Sequence, residues 1–166
     1  MEKNIRIIRT PIGSMIAECN VEAITSLDFT DSESKIENSD HPLLLQLEKE
    51  LHEYFERKRR SFTLPLAPKG TRFQEDVWKT LRSIPYAQSI SYAEEAKIFG
   101  NPKAIRAVAS ANGRNPIAIL IPCHRVIASG GGLGGYSGGL WRKEFLLALE
   151  KKENYGSTSS PSSKNL

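Results

Sequence analysis

Residues 64–68 (LPLAP) constrain the fold most, because two prolines in five residues interrupt any helix or strand that would cross them. The formal charge changes sign at the same point. Residues 1–68 carry 9 Lys and Arg against 12 Asp and Glu, whereas residues 69–166 carry 14 against 7, so the net charges are −3 and +7. We therefore expect two domains, 1–68 and 69–155, followed by a disordered Ser-rich tail at 156–166.

The first half is predicted to form a small antiparallel sheet and one helix. Residues 5–10, 15–20 and 23–29 are short apolar or alternating segments, and Pro11 and Gly13 supply turn chemistry between the first two. After a polar loop, apolar residues recur on one face of a helix: Leu44, Leu47, Leu51 and Phe55.

The second half is predicted to be mainly helical, so the chain as a whole is assigned to the α/β (α+β) class. Capping boxes at 71–74 and 91–94 begin two helices. Gly100 can end the second helix in the left-handed conformation, and residues 101–102 begin a third that runs to about Asn112. The last two helices form a candidate helix-turn-helix, although such hairpins also occur in proteins that bind no nucleic acid.

The remaining segments are predicted to be a strand, a loop and a helix. The apolar run 117–121 is predicted to be a buried strand that ends at Pro122. Residues 130–139 contain seven glycines, which indicates a loop that a partner can approach closely. They do not match a phosphate-binding P-loop, because no Gly-Lys-Ser/Thr sequence closes them. Helical periodicity returns over 140–150.

Cysteine content and hydropathy narrow the class of protein. Cys19 and Cys123 are too few for a disulfide framework or a four-ligand zinc site, and the longest apolar run, 117–122, is too short to span a membrane. We therefore expect a reduced, intracellular protein without a membrane anchor. The positive second half indicates a polyanionic partner, although many modestly basic domains bind none.

Reactive side chains are concentrated in residues 122–126 (PCHRV), where a thiol stands beside an imidazole and a guanidinium. Most buried cysteines are inert, and Cys19 fits that description because no histidine is near it in sequence. Cys123 becomes a nucleophile if a neighbour generates its thiolate. His124 is the candidate base, but consecutive strand side chains point to opposite faces, so it needs a turn or a bridging water. Glu144 is the candidate group that orients the histidine.

Several segments resemble the O6-alkylguanine-DNA alkyltransferases in order and spacing. Residues 121–126 (IPCHRV) resemble the active-site signature of that family. The other similar segments are 101–104, 106–108, 115–116, 135–140 and 143–144. The resemblance covers roughly residues 70–150. The first half is similar to the variable N-terminal domain of the family by size and pattern only.

The resemblance implies DNA repair by irreversible, single-turnover transfer of an alkyl group from O6-alkylguanine in duplex DNA to Cys123. In this interpretation His124 acts as a base through a water molecule, and Glu144 orients it. Asn115 supports the site. Tyr92 donates a proton to the departing guanine and also contacts a phosphate.

The resemblance also implies the contacts with DNA. The helix-turn-helix enters the minor groove, where an alanine-rich helix fits a narrow space, and Arg106 fills the gap left by a flipped nucleotide. Asn101 and Ser129 contact the DNA backbone. The pocket for the flipped base is expected at three residues: Val126, Tyr136 and Ser137.

Cofactors, partners and location are expected on the same basis. Some relatives bind zinc in the N-terminal domain with two cysteines and two histidines, but here only Cys19, His41 and His52 precede Lys69. Neither a metal nor another cofactor is therefore expected. The expected partner is double-stranded DNA containing O6-alkylguanine, with O4-alkylthymine as a second candidate lesion. The protein is expected to be a monomer in a prokaryotic cytoplasm.

Two other classes of protein remain open. A sequence-specific helix-turn-helix regulator would explain the helices but would leave Cys123 and His124 without a role, and major-groove readout favours more polar side chains. A cysteine hydrolase would use Cys123 and His124 but would leave Arg106 and the positive charge unexplained.

Overall fold

The computed structural model describes residues 4–31 and 36–157, with side chains up to Lys152. The elements of the first half are β1 (Asn4–Thr10), β2 (Gly13–Cys19), β3 (Ile24–Phe29) and α1 (Pro42–Phe55). Those of the second half are α2 (Arg72–Arg82), β4 (Ile90–Ser91), α3 (Tyr92–Phe99), α4 (Ile105–Gly113), β5 (Val126–Ile127) and α5 (Leu140–Ser157). The predicted class, a sheet with a helix followed by a mainly helical part, is confirmed.

Strands β1, β2 and β3 form an antiparallel sheet in that order. Alternate residues of β2, namely Met15, Ala17 and Cys19, are buried, because the period-two pattern of a strand turns one face toward the core. Helix α1 packs on the sheet through the apolar residues predicted to share one face. The sheet and its covering helix therefore follow the sequence pattern.

The helix starts of the second half show which local signals decide structure. Both capping boxes form, and Gly100 ends α3 at φ 107°, as predicted. The third helix begins at Ile105 rather than at residue 102, with Ala104 as its N-cap and no side-chain cap. The Asn101 side chain instead accepts from the Lys103 N–H at 3.2 Å within a preceding turn. An asparagine can stabilise a turn as well as a helix start, which explains the error.

Residues 117–121 are buried as predicted but do not form a strand. Ile117 makes one isolated bridge to Leu27 of β3, and the chain then turns through residues 118–120, with Ile119 at φ 72°. The apolar run indicated burial correctly, but burial alone does not distinguish a strand from a packed turn. The turn leads through Ile121 and Pro122 to Cys123, so it determines where the thiol lies.

One hydrophobic core extends through both halves of the chain. Trp78 of α2 donates from Nε1 to the Ala111 carbonyl of α4 at 2.9 Å, and the Tyr54 hydroxyl of α1 donates to Glu150 of α5 at 2.6 Å. No described helix is long and apolar enough to cross a membrane. The predicted tail lies outside the described residues except at 156–157, which belong to α5.

Candidate active site

Cys123 lies at the wall of a cavity of about 540 Å³ between α3, α4 and the glycine-rich loop. Its side chain is partly exposed, whereas Cys19 is buried in the core of the sheet. The residues that line this cavity are Tyr92, Ala109, Asn112, Gly113, Cys123, Gly135, Tyr136 and Ser137. Three of the predicted site residues, Tyr92, Tyr136 and Ser137, therefore face the same space as the thiol.

Asn115 fixes the backbone on which Cys123 is carried. Its Nδ2 donates to the Ile121 carbonyl at 2.7 Å and lies 3.4 Å from Cys123 Sγ, and its Oδ1 accepts from the Ile117 N–H at 3.0 Å. One amide thus bridges the two ends of the buried turn and donates toward the sulfur. A donor in this position stabilises a thiolate.

Residues Cys123–Arg125 form a 3₁₀ turn and not a strand. Side chains in such a turn do not alternate between opposite faces, so the adjacent Cys123 and His124 can act together. His124 is fully buried, and its Nε2 lies 2.7 Å from Glu150 Oε2. Its Nδ1 is also buried and has no hydrogen-bond partner among the described residues. Burial lowers the pKa of His124, although the Glu150 carboxylate acts in the opposite direction.

Glu150 is the centre of a buried network rather than a partner of the histidine alone. Arg125 donates to it from Nε at 3.0 Å and from Nη2 at 3.1 Å. Tyr54 and the Ala87 N–H also donate to it, at 2.6 and 3.0 Å. Burial alone would raise the pKa of Glu150, but the hydrogen bonds and charges of His124 and Arg125 outweigh it and hold that pKa well below its usual range.

The prediction that Glu144 orients the histidine is wrong. Glu144 is exposed on α5 and does not contact His124, because at 100° per residue the six positions to Glu150 place the two carboxyls on different sides of the helix. A usable signal was present in the sequence. Glu150 lies four residues after Leu146 and next to Leu149, in phase with the buried face of α5.

Lys143 is a functional candidate that its sequence pattern does not identify, beyond its place in the segment 143–144. Its side chain is fully buried, and Nζ donates to the carbonyls of Val126 at 2.6 Å and Gly135 at 2.9 Å. Burial lowers the pKa of Lys143 to about 8, against the raising effects of Cys123 and Glu95. The ammonium therefore ties β5 to the glycine-rich loop and acts electrostatically on the thiol.

Neighbouring groups shift the pKa of the Cys123 thiol in opposite directions. Burial raises the pKa of Cys123, the Asn115 hydrogen bond and the Lys143 charge lower it, and the Glu95 charge raises it. On balance the pKa is raised, so the resting group is a thiol and needs a base during reaction. No described group of three or more histidines, cysteines or acids could hold a metal ion.

The remaining predicted residues lie away from the thiol. Val126 is buried and contributes its carbonyl, rather than a side chain, to the site. Asn101 is exposed in the turn before α4, Arg106 is exposed in the first turn of α4, and Ser129 is exposed in the turn after β5. The structure therefore brings none of these four side chains into the cavity.

Family models describe both halves of the chain. Residues 72–152 match "6-O-methylguanine DNA methyltransferase, DNA binding domain", and residues 5–68 match "6-O-methylguanine DNA methyltransferase, ribonuclease-like domain".

Curated relatives match along nearly their whole length. A methylated-DNA--protein-cysteine methyltransferase of Methanosarcina acetivorans is 45% identical over 149 residues, which are 87% of this chain and 96% of the relative. The constitutive Bacillus subtilis protein of that name is 43% identical over 151 residues, which are 86% of this chain and 92% of the relative.

Solved structures have the same fold. The crystal structure of Mycobacterium tuberculosis O6-methylguanine methyltransferase is 38% identical, with a TM-score of 0.82 over 98% of this chain and 97% of that one. The structure of M. tuberculosis OGT in complex with DNA is 41% identical, with a TM-score of 0.83 over 90% of this chain and 94% of that one.

Proposed function

Because the chain belongs to the 6-O-methylguanine DNA methyltransferase family, we propose that it repairs DNA by moving the alkyl group of O6-alkylguanine onto Cys123. The observation that carries this proposal is the position of the thiol at the wall of a cavity, next to the buried His124 of the same 3₁₀ turn, whose Nε2 is held by Glu150 of α5. We further propose that residues 1–68 and 69–155 are two domains that share one hydrophobic core, because separate family models match residues 5–68 and 72–152.

The reaction is an in-line displacement at the alkyl carbon. Cys123 Sγ forms the new carbon–sulfur bond while the bond from that carbon to O6 breaks, and the bonding electrons pass to the guanine. His124 accepts the thiol proton through a bridging water at Nδ1, the nitrogen that has no other partner among the described residues. The Glu150 carboxylate holds the ring at Nε2 and stabilises the imidazolium that forms.

Tyr92 donates its hydroxyl proton to the guanine as it leaves, and the proton that His124 has accepted from the thiol then restores the tyrosine. Its hydroxyl accepts from the Gly135 N–H at 3.2 Å and faces the cavity, so its own proton remains available for donation. The product sulfur is a thioether, which has no good leaving group. The reaction is therefore irreversible, and each molecule acts once.

Helix α4 presents the proposed DNA contact beside the cavity. Arg106, Ala107 and Ser110 are exposed on this helix, and Ala109 and Gly113 line the cavity itself. Small residues allow a groove to approach closely, and Arg106 can fill the gap left by a flipped base. Asn101 and Ser129 are the proposed backbone contacts.

The preferred lesion is O6-alkylguanine in duplex DNA, with O4-alkylthymine as a second candidate. The proposed cellular form is a monomer in a prokaryotic cytoplasm, which is consistent with bacterial and archaeal relatives. A regulator would bind DNA without changing mass, and a hydrolase would turn over. Both alternatives therefore differ from the proposal in a measurable way.

Intact mass spectrometry tests the proposal directly. The protein is mixed with excess duplex DNA containing O6-methylguanine, and the Cys123→Ala and Cys19→Ala variants are treated in parallel. We expect one added methyl group, about 14 Da, that is absent only from Cys123→Ala. An unmodified, lesion-bound protein would overturn the proposal in favour of a binding protein, and modification of Cys19 would overturn the assignment of the acceptor.

A further inference from the structure

A second buried acid lies behind the cavity and has no part in the reaction described above. Glu95 of α3 is fully buried, and Asn112 of α4 is 7% exposed. Asn112 Nδ2 donates to Glu95 Oε1 at 2.7 Å, and Asn112 also lines the cavity that contains Cys123. The acid therefore holds a residue of the cavity wall from behind.

The second oxygen of Glu95 and the amide oxygen of Asn112 indicate whether Glu95 is protonated. Glu95 Oε2 and Asn112 Oδ1 are both buried, and neither has a hydrogen-bond partner among the described residues. An ionised carboxylate can only accept, as can an amide oxygen, so an ionised Glu95 would leave two buried acceptors unsatisfied. Leaving buried acceptors unpaired is costly.

One proton satisfies both acceptors. A carboxylic acid and a primary amide can form two hydrogen bonds side by side, one in each direction, and one of these is already present at 2.7 Å. We propose that Glu95 is a protonated carboxylic acid that donates from Oε2 to Asn112 Oδ1, and that this two-armed pair positions the cavity wall and couples the reactivity of Cys123 to pH.

The charges around the pair support this assignment. Burial raises the pKa of Glu95 to about 7, although the Asn112 hydrogen bond and the Lys143 charge act in the opposite direction. Helix α4 contributes the neutral Asn112, α5 contributes Lys143, and the 3₁₀ turn contributes Cys123. The acid is therefore near its midpoint at neutral pH, with the Lys143 ammonium acting on it.

Ionisation of Glu95 has a defined consequence for the thiol. The carboxylate charge raises the pKa of Cys123, and loss of the proton removes one arm of the pair. His124 is held by Glu150, and the pKa of Tyr136 is raised by its burial and by Cys123, so neither group compensates for the added charge. Glu95 acts through Asn112 and through charge, which makes it a positioning residue.

The test uses Glu95→Gln in a Cys19→Ala background. Glutamine keeps both arms, because its amide nitrogen can donate to Asn112 Oδ1, but it cannot ionise. The rate of carboxamidomethylation of Cys123 by iodoacetamide is measured by intact mass across pH. Glu94→Gln is the matched control, since Glu94 is exposed and its capping role is preserved by glutamine.

We expect the ratio of the Glu95→Gln rate to the rate of its Cys19→Ala parent to be about 1 near pH 6 and to rise several-fold by about pH 8.5, while the control ratio stays flat. A ratio well above 1 and constant at every pH would show that Glu95 is ionised throughout, and a ratio of 1 at every pH would show that it does not act on the thiol. Either result overturns the proposal.

Infrared spectroscopy of the wild-type protein provides a second readout. It can be used even if the Glu95→Gln variant unfolds at high pH. A protonated-carboxyl C=O band should titrate near neutrality and be absent from Glu95→Gln. Its absence from the wild type near pH 6 would also overturn the proposal. The role for the thiol rests on the proposed function, but iodoacetamide requires no DNA, so failure of methyl transfer and failure of the Glu95 coupling are observed separately.

Discussion

Glu150 Oε2 lies 2.7 Å from His124 Nε2, and the same carboxylate receives two hydrogen bonds from Arg125. This relationship predicts that Glu150→Gln slows methyl transfer to Cys123 by on the order of 100-fold, because the imidazolium loses its counter-charge. Single-turnover rates measured by intact mass provide the test.

The matched control for this substitution is Glu144→Gln, on the exposed side of the same helix. We expect it to leave the rate unchanged. Loss of a buried charge partner also costs stability, roughly 3 kcal/mol, so the Glu150 variant must be assayed well below its melting temperature. Equal rates for the two variants would exclude Glu150 as the orienting group.

We predict that substitution of Asn115 changes both the stability of the fold and the reactivity of the Cys123 thiol. Asn115→Ala removes the hydrogen bonds to Ile121 and Ile117 and the donor 3.4 Å from Cys123 Sγ. We expect unfolding to require about 1–3 kcal/mol less free energy and the pKa of the thiol to rise. Chemical denaturation and the pH dependence of iodoacetamide labelling measure the two effects. An unchanged labelling profile would contradict the role assigned to the amide.

We predict that Arg106 contributes to DNA binding and not to the chemical step. Because this side chain is exposed on α4 and does not line the cavity, Arg106→Ala should slow repair of duplex DNA by roughly 10- to 100-fold while leaving reaction with free O6-methylguanine base unchanged. Arg72→Ala, at an exposed position on α2, is the control. A parallel loss with the free base would place Arg106 in the chemical step instead.

Arg142 connects the N-terminal sheet to the glycine-rich loop. It donates to the Ile12 carbonyl at 2.8 Å and to the Gly138 carbonyl at 2.9 Å, and its guanidinium stacks 4.2 Å from the Phe29 ring centroid. The loop it holds carries Tyr136 and Ser137 at the cavity.

Arg142→Met should therefore raise the concentration of free O6-methylguanine that gives half-saturation, because the loop that lines the cavity is held less firmly. It should also lower the free energy of unfolding by about 1–3 kcal/mol. The maximal single-turnover rate should change little, since neither Cys123 nor His124 is touched. Saturation kinetics at a temperature where the variant is fully folded measure both quantities. An unchanged half-saturation concentration would show that the contacts of Arg142 contribute to stability alone.

Local signals account for what the sequence predicted well. The capping boxes at Thr71 and Ser91 and the left-handed Gly100 depend on neighbours within one turn, so their outcome is determined by the residues themselves. The thiol and its adjacent imidazole were likewise found from five consecutive residues. These elements were predictable because little from the rest of the fold is needed to specify them.

The tertiary relationships were not predictable in the same way. Glu144 and Glu150 are both acids on α5, and only the packing of that helix determines which carboxyl meets His124. Lys143 is buried because two carbonyls from separate segments converge on it, and neither carbonyl is visible in a sequence pattern. Choosing the acid required the phase of the buried face, which the apolar residues of α5 supply.

Glu95 also predicts how stability depends on pH. Its pKa is about 7 in the folded protein against an ordinary value of 4.5, so between these values the folded state holds a proton that the unfolded state has lost. Folding stability from this group is therefore complete below pH 4.5 and is lost as pH rises through 7.

The stability of wild type relative to Glu95→Gln should fall by up to about 2.5 kcal/mol between about pH 5 and 8, because glutamine cannot lose that proton and other titrating groups cancel in the comparison. Urea unfolding of both proteins across this range measures the difference. Glu144→Gln serves as the exposed control and should show a constant offset from wild type. A constant offset for Glu95→Gln as well would mean that Glu95 has the same pKa in the folded and unfolded chains.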